Sequence, residues 1–127
     1  MIRISMTVLA LALSTHAWAQ DDAALIDAGK RVFLKCRSCH SVEKDAGNMT
    51  GPNLWGVFGR KAGTEPDFQY SDAVRNSGIV WDEAKINEWL SGPKTFLPGN
   101  KMAFVGLPKE EDRKAVLAYL KKKSTEE

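Results

Sequence analysis

The chain has 127 residues with 18 Lys+Arg, 16 Asp+Glu and two histidines, which gives room for one domain and little more. A formal charge of +2 supplies no basic excess for a phosphate backbone, so the balance argues against nucleic acid as a partner. There is no internal repeat, no low-complexity tract and no linker long enough to divide the chain.

The first nineteen residues carry a lone positive charge at Arg3, an apolar run from Ile4 to Leu13, and Ala17-Trp18-Ala19 directly before Gln20 and two aspartates. This is the layout of a secretory signal with a small-x-small cleavage site. The alternative is a retained anchor, but Ser14, Thr15 and His16 interrupt the run short of the ~20 apolar residues that a spanning helix needs. Cleavage leaves residues 20–127 as a single domain with no membrane span, one histidine (His40) and two methionines (Met49 and Met102).

From Asp22 to Lys35, apolar positions at Leu25, Ile26, Gly29, Val32 and Phe33 form one stripe of a helix. A glycine inside such a stripe costs about 1 kcal/mol relative to alanine, so Gly29 predicts close approach by another backbone. Cys36-Arg37-Ser38-Cys39-His40 follows. Two thiols three positions apart and an imidazole directly after them are the attachment pattern of a covalent haem. The sulfurs add to the haem vinyl groups as thioethers, and the imidazole gives the iron one axial ligand. A redox dithiol would sit in a βαβ pattern, and a structural zinc would need four soft or imidazole ligands. Neither context is present around these residues.

Between His40 and Tyr70 come Gly47, Gly51-Pro52-Asn53, Gly56, Gly59, Gly63 and Pro66, too many breakers for a long regular element. A loop of that length needs an organiser other than backbone pairing. A haem edge with Leu54, Trp55, Val57 and Phe58 wrapped over it would be one. Ser71 then caps a turn or two of helix closed by Gly78, and Asp82 caps a stronger helix to about Leu90, ended by Gly92-Pro93. Lys94 to Leu97 suggests a further turn. The last helix runs from near Pro108 to about Lys122, with Glu110, Glu111 and Asp112 in its first turn and Lys121, Lys122 and Lys123 in its last, as the helix dipole favours. Val116, Leu117 and Leu120 give it an apolar face whose natural partner is the Gly29 face of the first helix. No period-two alternation is long enough for a sheet. The class is all-α, and side chains alone would make a marginal core, so the haem is expected at its centre and the haem-free chain is expected to be largely unfolded.

A sixth ligand of the usual type must come from Met102, Met49 or a lysine, or the site is open. Met102 follows the turn Pro98-Gly99-Asn100-Lys101, far along the chain from His40, as a segment returning across the ring would be. Met49 lies in the polar tract Asp45 to Thr50 and reads better as an exposed loop residue. Spacing favours Met102 and leaves a vacant site open.

Taken together, these motifs resemble those of class I cytochromes c. The resemblance rests on Gly29 with Phe33, Cys36 to His40, Gly51-Pro52-Asn53-Leu54, Gly56 with Phe58-Gly59-Arg60, Tyr70, Gly78-Ile79-Val80-Trp81, Pro98 to Met102 and Ala118-Tyr119-Leu120. It covers nearly all of residues 20–127. It implies a cytochrome c fold with crossing N- and C-terminal helices, and Met102 as distal ligand. It implies that the Pro52 carbonyl accepts from the His40 ring and that Arg60, Tyr70 and Trp81 surround a haem propionate. Trp89 stands where a tyrosine approaching the methionine sulfur is frequent, and Asn100 where a threonine is common. The function implied is one-electron transfer by a monomeric periplasmic carrier, not an enzyme, between membrane or periplasmic redox proteins. The lysines nearest the ligand motifs, Lys35, Lys94, Lys101 and Lys109, would steer acidic partners. The rival readings are a gas-sensing or weakly peroxidatic haem protein with a labile sixth site, and a dedicated subunit of one larger redox enzyme. Proteins of the first kind carry the attachment motif near the C-terminus; here it lies near the start of residues 20–127.

Overall fold

The two longest helices lie at the two ends of the described residues, and they make the main contact of the fold. The computed structural model describes residues 16–126 and contains α1 (His16–Phe33), α2 (Asp72–Arg75), α3 (Glu83–Ser91), α4 (Pro93–Phe96) and α5 (Glu110–Lys123). Among these residues there is no strand, only an antiparallel bridge between Lys61 and Val80. The architecture is all-α. The expected signal segment lies largely outside the described residues. No helix among them is long and apolar enough to cross a membrane.

α1 and α5 cross at Gly29. A methyl group there would stand 2.0 Å from the Ala115 carbonyl oxygen and 2.7 Å from Tyr119 Cβ, so only a bare Cα permits the approach. One turn further on, Phe33 and Tyr119 pack with ring centroids 5.3 Å apart. Val116, Leu117 and Leu120 of α5 join Phe33, Ile86, Leu90 and Leu107 in one buried cluster. α3 docks on the same helix, with Arg113 Nε donating to Asn87 Oδ1 at 3.0 Å and Arg113 Nη1 to the Leu107 carbonyl at 2.7 Å.

Local chemistry sets the helix ends. Ser71 Oγ accepts from the Val74 N–H at 3.2 Å and Asp82 Oδ1 from the Lys85 N–H at 2.7 Å, the side-chain caps that stop these helices from fraying. α5 has its acids first and its lysines last, but it starts at Glu110 rather than Pro108. α1 differs more from expectation: it begins at His16, ahead of Asp22, and ends at Phe33, two residues before Lys35. Directly after Phe33 three successive N–H groups reach back three residues instead of four, Leu34 to Arg31 at 3.3 Å, Lys35 to Val32 at 3.1 Å and Cys36 to Phe33 at 2.8 Å. The chain thus tightens into successive turns that carry both cysteines.

The long loop has polar as well as apolar organisers. Asn53, 4% exposed, donates through Nδ2 to the Glu43 carbonyl at 2.9 Å, accepts the Trp55 N–H at 2.8 Å on Oδ1, and gives its own N–H to Asn48 Oδ1 at 2.9 Å. Leu54 and Val57 face the central cavity as expected, whereas Trp55 and Phe58 are not in its wall. The Trp55 indole N–H instead donates to the Glu126 carbonyl at 2.8 Å, since a half-buried indole turns its polar edge toward an acceptor. Phe58 packs against the buried cluster.

Candidate functional site

The turns leaving α1 present Cys36, Cys39 and His40 to a cavity of about 300 Å³. His40 N–H and Cys39 N–H both donate to the Cys36 carbonyl, at 2.9 and 3.0 Å, so the three side chains are fixed relative to one another by a single turn. Burial pushes the Cys36 thiol up from its ordinary pKa, against the opposing charge of Lys35. Both thiols are free of a disulfide and half-buried.

His40 is held on two sides. Its Nδ1 lies 2.7 Å from the Pro52 carbonyl oxygen, an acceptor, which assigns the proton to Nδ1 and leaves Nε2 with the free lone pair. Gly51 lies flat against the ring: a Cβ on it would stand 2.3 Å from His40 Cε1. Burial holds the imidazole below its ordinary pKa, only partly opposed by the Pro52 carbonyl. A neutral ring with an oriented, unprotonated nitrogen is what a metal ligand requires.

Met102 lines the same cavity, although it is brought there by the segment after α4. Met49 does not line it and is 50% exposed. The remaining walls are largely aliphatic and aromatic, with Phe33, Leu54, Val57, Ile86, Leu90 and Val116 among them. Two thiols, one oriented imidazole and one thioether around an apolar space are the donor set of a covalently attached haem. The residues therefore fit that group.

The other predicted residues also reach the cavity. Pro52, Arg60, Tyr70, Trp81 and Trp89 all line it. Backbone pairing joins two of them, with Trp81 N–H donating to the Arg60 carbonyl at 2.9 Å. Trp81 and Trp89 meet edge to face at 5.5 Å. Tyr70 OH accepts from the Glu65 N–H at 3.2 Å and keeps its own hydrogen to give. Arg60 is more committed than the sequence suggested. Its Nη1 donates to the Asn53 carbonyl at 2.8 Å, its Nη2 to the Trp55 carbonyl, and Glu65 Oε2 lies 3.0 Å away. With the guanidinium so engaged, Tyr70 and Trp81 are the freer donors for a carboxylate. Asn53 enters the sequence reading only within the Gly51-Pro52-Asn53-Leu54 motif, with no role of its own, and nothing in the spacing marks Glu65.

Of the four lysines, Lys35 and Lys101 are at the cavity, while Lys94 in α4 and Lys109 before α5 are exposed but outside its lining. Lys101 Nζ donates to the Gln69 carbonyl and stands 5.3 Å above the Phe68 ring.

A family model described as cytochrome c matches residues 26–124. Cytochrome c2 of Rhodoblastus acidophilus is 52% identical over 94 residues, covering 74% of this chain and 88% of that protein. Cytochrome c2 of Rhodomicrobium vannielii is 44% identical over 119 residues, covering 94% and 93%. Among solved structures, cytochrome cH from Methylobacterium extorquens superposes with a TM-score of 0.72 at 39% identity, over 76% of this chain and 97% of that one.

Proposed function

This chain belongs to the cytochrome c family, and from that premise we propose that its iron is bound by His40 and Met102 and that it shuttles single electrons between redox proteins outside the cytoplasm. The coarser statement follows from the family alone: the chain is an electron carrier, not an enzyme, with one covalently attached haem c. The haem supplies the one-electron couple. Cys36 and Cys39 hold it as thioethers, and His40, with Nδ1 given to Pro52, offers Nε2 to the metal. The observation that carries this reading is the convergence of His40 and Met102, 62 positions apart in the numbering, on one apolar cavity that also holds both thiols.

A thioether is a weak donor that favours ferrous iron, so a His/Met pair raises the potential relative to two strong donors. With His40 and Met102 both holding the iron, small ligands would have no ready entry, and the chemistry left to the group would be electron exchange with a docked partner. Tyr70 and Trp81 offer hydrogen bonds to a buried carboxylate, which would be costly without them. Arg60, already paired with Glu65, contributes mainly its field, and the Trp89 indole takes the place of a phenol beside the methionine. Residues 1–19 are read as the export signal and 20–127 as the single domain, which puts the carrier in the periplasm. Lys35 and Lys101 at the cavity, with Lys94 and Lys109 further out, form the docking face for acidic partners.

The test is the absorption of the haem-loaded protein. The oxidised form is expected to be low-spin with a sulfur-to-iron charge-transfer band, slow to bind cyanide, and the reduced form slow to bind carbon monoxide. Met102→Ala should abolish the band. A high-spin spectrum, or a band that survives that substitution, overturns the reading.

A further inference from the structure

The segment that carries Met102 is poorly tied to the rest of the protein. Among the described residues, the backbone groups from Lys101 to Gly106 make one backbone hydrogen bond, the local Phe104 N–H to Met102 carbonyl at 3.0 Å, and the next tie to another element is Leu107 N–H to the Leu90 carbonyl at 2.6 Å. The Met102 N–H itself is taken by one atom, Asn100 Oδ1, at 3.0 Å. The other end of the same amide faces α4. Asn100 Nδ2 donates to the Pro93 carbonyl at 2.9 Å and to the Leu97 carbonyl at 2.8 Å, using the second lone pair of each, since Pro93 also accepts the Leu97 N–H at 3.0 Å. The turn is reinforced by Asn100 N–H to the Leu97 carbonyl at 3.3 Å, with Gly99 at φ +88° allowing the reversal. One half-buried side chain therefore links a helix end to the backbone of the methionine. The other polar tie, from Lys101 to the Gln69 carbonyl, is made by an exposed ammonium.

We propose that Asn100 is a positioning residue for Met102: its amide clamps the methionine backbone to the C-terminal end of α4 and so sets how readily the sulfur leaves the iron. The proposal rests on Met102 being the ligand. A planar amide can do this because it offers two donors and an acceptor at fixed angles. A hydroxyl at the same place has one donor and a shorter reach, so it can satisfy the Met102 N–H and at most one of the two carbonyls. An aliphatic residue satisfies none of them.

The experiment uses haem-loaded ferric protein and cyanide as the probe, since an incoming ligand binds at the rate at which the methionine opens. Asn100→Ala is expected to retain the resting charge-transfer band and to bind cyanide about 30-fold faster. That factor corresponds to about 2 kcal/mol, the worth of two net hydrogen bonds, when every ~1.4 kcal/mol is tenfold. Asn100→Ser is expected to fall between alanine and the parent, and it keeps the test open if the alanine variant does not accumulate. Trp55→Phe, which loosens the fold through the Glu126 contact away from Met102, should lower the melting temperature and leave the cyanide rate unchanged. A parental rate in both Asn100 variants overturns the clamp, as does an acceleration in Trp55→Phe that scales with lost stability in the same way. Met102→Ala separates the two ideas. A band that survives it defeats the ligand assignment itself, whereas a lost band with parental Asn100 rates defeats only the clamp.

Discussion

The Cα of Gly29 sits so close to the Ala115 carbonyl that no side chain fits between them: a built Cβ lies 2.0 Å from that oxygen. In an isolated helix, alanine would be favoured over glycine by about 1 kcal/mol. Here Gly29→Ala is expected to destabilise by a net ~2 kcal/mol, since overpacking a close contact costs about 1–3 kcal/mol or more. Denaturant titration of the haem-loaded protein measures it. Equal or greater stability would mean that the helices separate without penalty.

Phe33, Leu90 and Val116 belong both to the buried cluster and to the cavity wall. Protein atoms already cover them on one side, and on the other they border the space that the ring would fill. The double variant Cys36→Ala/Cys39→Ala, made without haem, is expected to lose most of its helical circular dichroism and its cooperative melt. A sharp thermal transition with parental helix content would show that protein side chains suffice.

Burial pushes the Tyr70 phenol up from its ordinary pKa, with the Glu65 N–H and the Arg60 charge opposing and the Glu65 charge adding. The sign follows from proton linkage. A folded-state pKa above the unfolded one contributes stability that is complete below about pH 10 and is lost as pH rises from there toward the folded value, because the unfolded phenol ionises first. Tyr70→Phe should therefore show a shallower fall in melting temperature above pH 10 than the parent, with matching slopes between pH 7 and 9. Parallel curves throughout would remove the linkage.

Lys35 is exposed at the cavity, where a docked redox partner would meet it. If the lysines steer, electron transfer to an acidic partner slows as salt rises, since exposed charges are screened within about 10 Å at 0.1 M ionic strength. Lys35→Glu should cut the low-salt rate by about tenfold and flatten the salt dependence. Stopped-flow rates against ionic strength decide it, and a flat parental profile would leave the lysines as ordinary surface charge.

The Trp55 indole spans 71 positions to reach the Glu126 carbonyl. Trp55→Phe keeps an aromatic ring but removes the indole N–H and part of the ring volume, so a loss of about 1 kcal/mol or more is expected in denaturant titration, with the visible spectrum unchanged. A spectral shift would mean that the C-terminal contact communicates with the cavity.

The parts of this fold that the sequence disclosed are those whose cause is local. The acidic start and basic end of α5 and the caps Ser71 and Asp82 each carry their reason within a few residues, and Gly29 shows as a break in the local stripe of α1 although its cause, Ala115, is distant. The turn bearing Cys36, Cys39 and His40 is local as well, and its chemistry is stated by spacing alone. What could not be read depends on distant partners. An indole among aliphatic neighbours reads as cavity wall, and nothing near Trp55 announces a carbonyl at residue 126. The commitment of Arg60 to Glu65 and to the Asn53 and Trp55 carbonyls is fixed by how the loop folds back. The tightening of the chain after Phe33 has no mark in the apolar pattern, which continues into Leu34. Asn100 was visible as an unusual residue, but its three hydrogen bonds became legible only once α4 and Met102 had been brought together.

The turn from Phe33 to His40 closes with bonds between residues no more than four apart, whereas Met102 arrives from a segment that must first travel round the whole central loop. On the proposed ligand set, capture and enclosure would be separable: a porphyrin could be stitched to a thread in which only this turn has formed, and its second face would be shielded when the later half of the thread comes home.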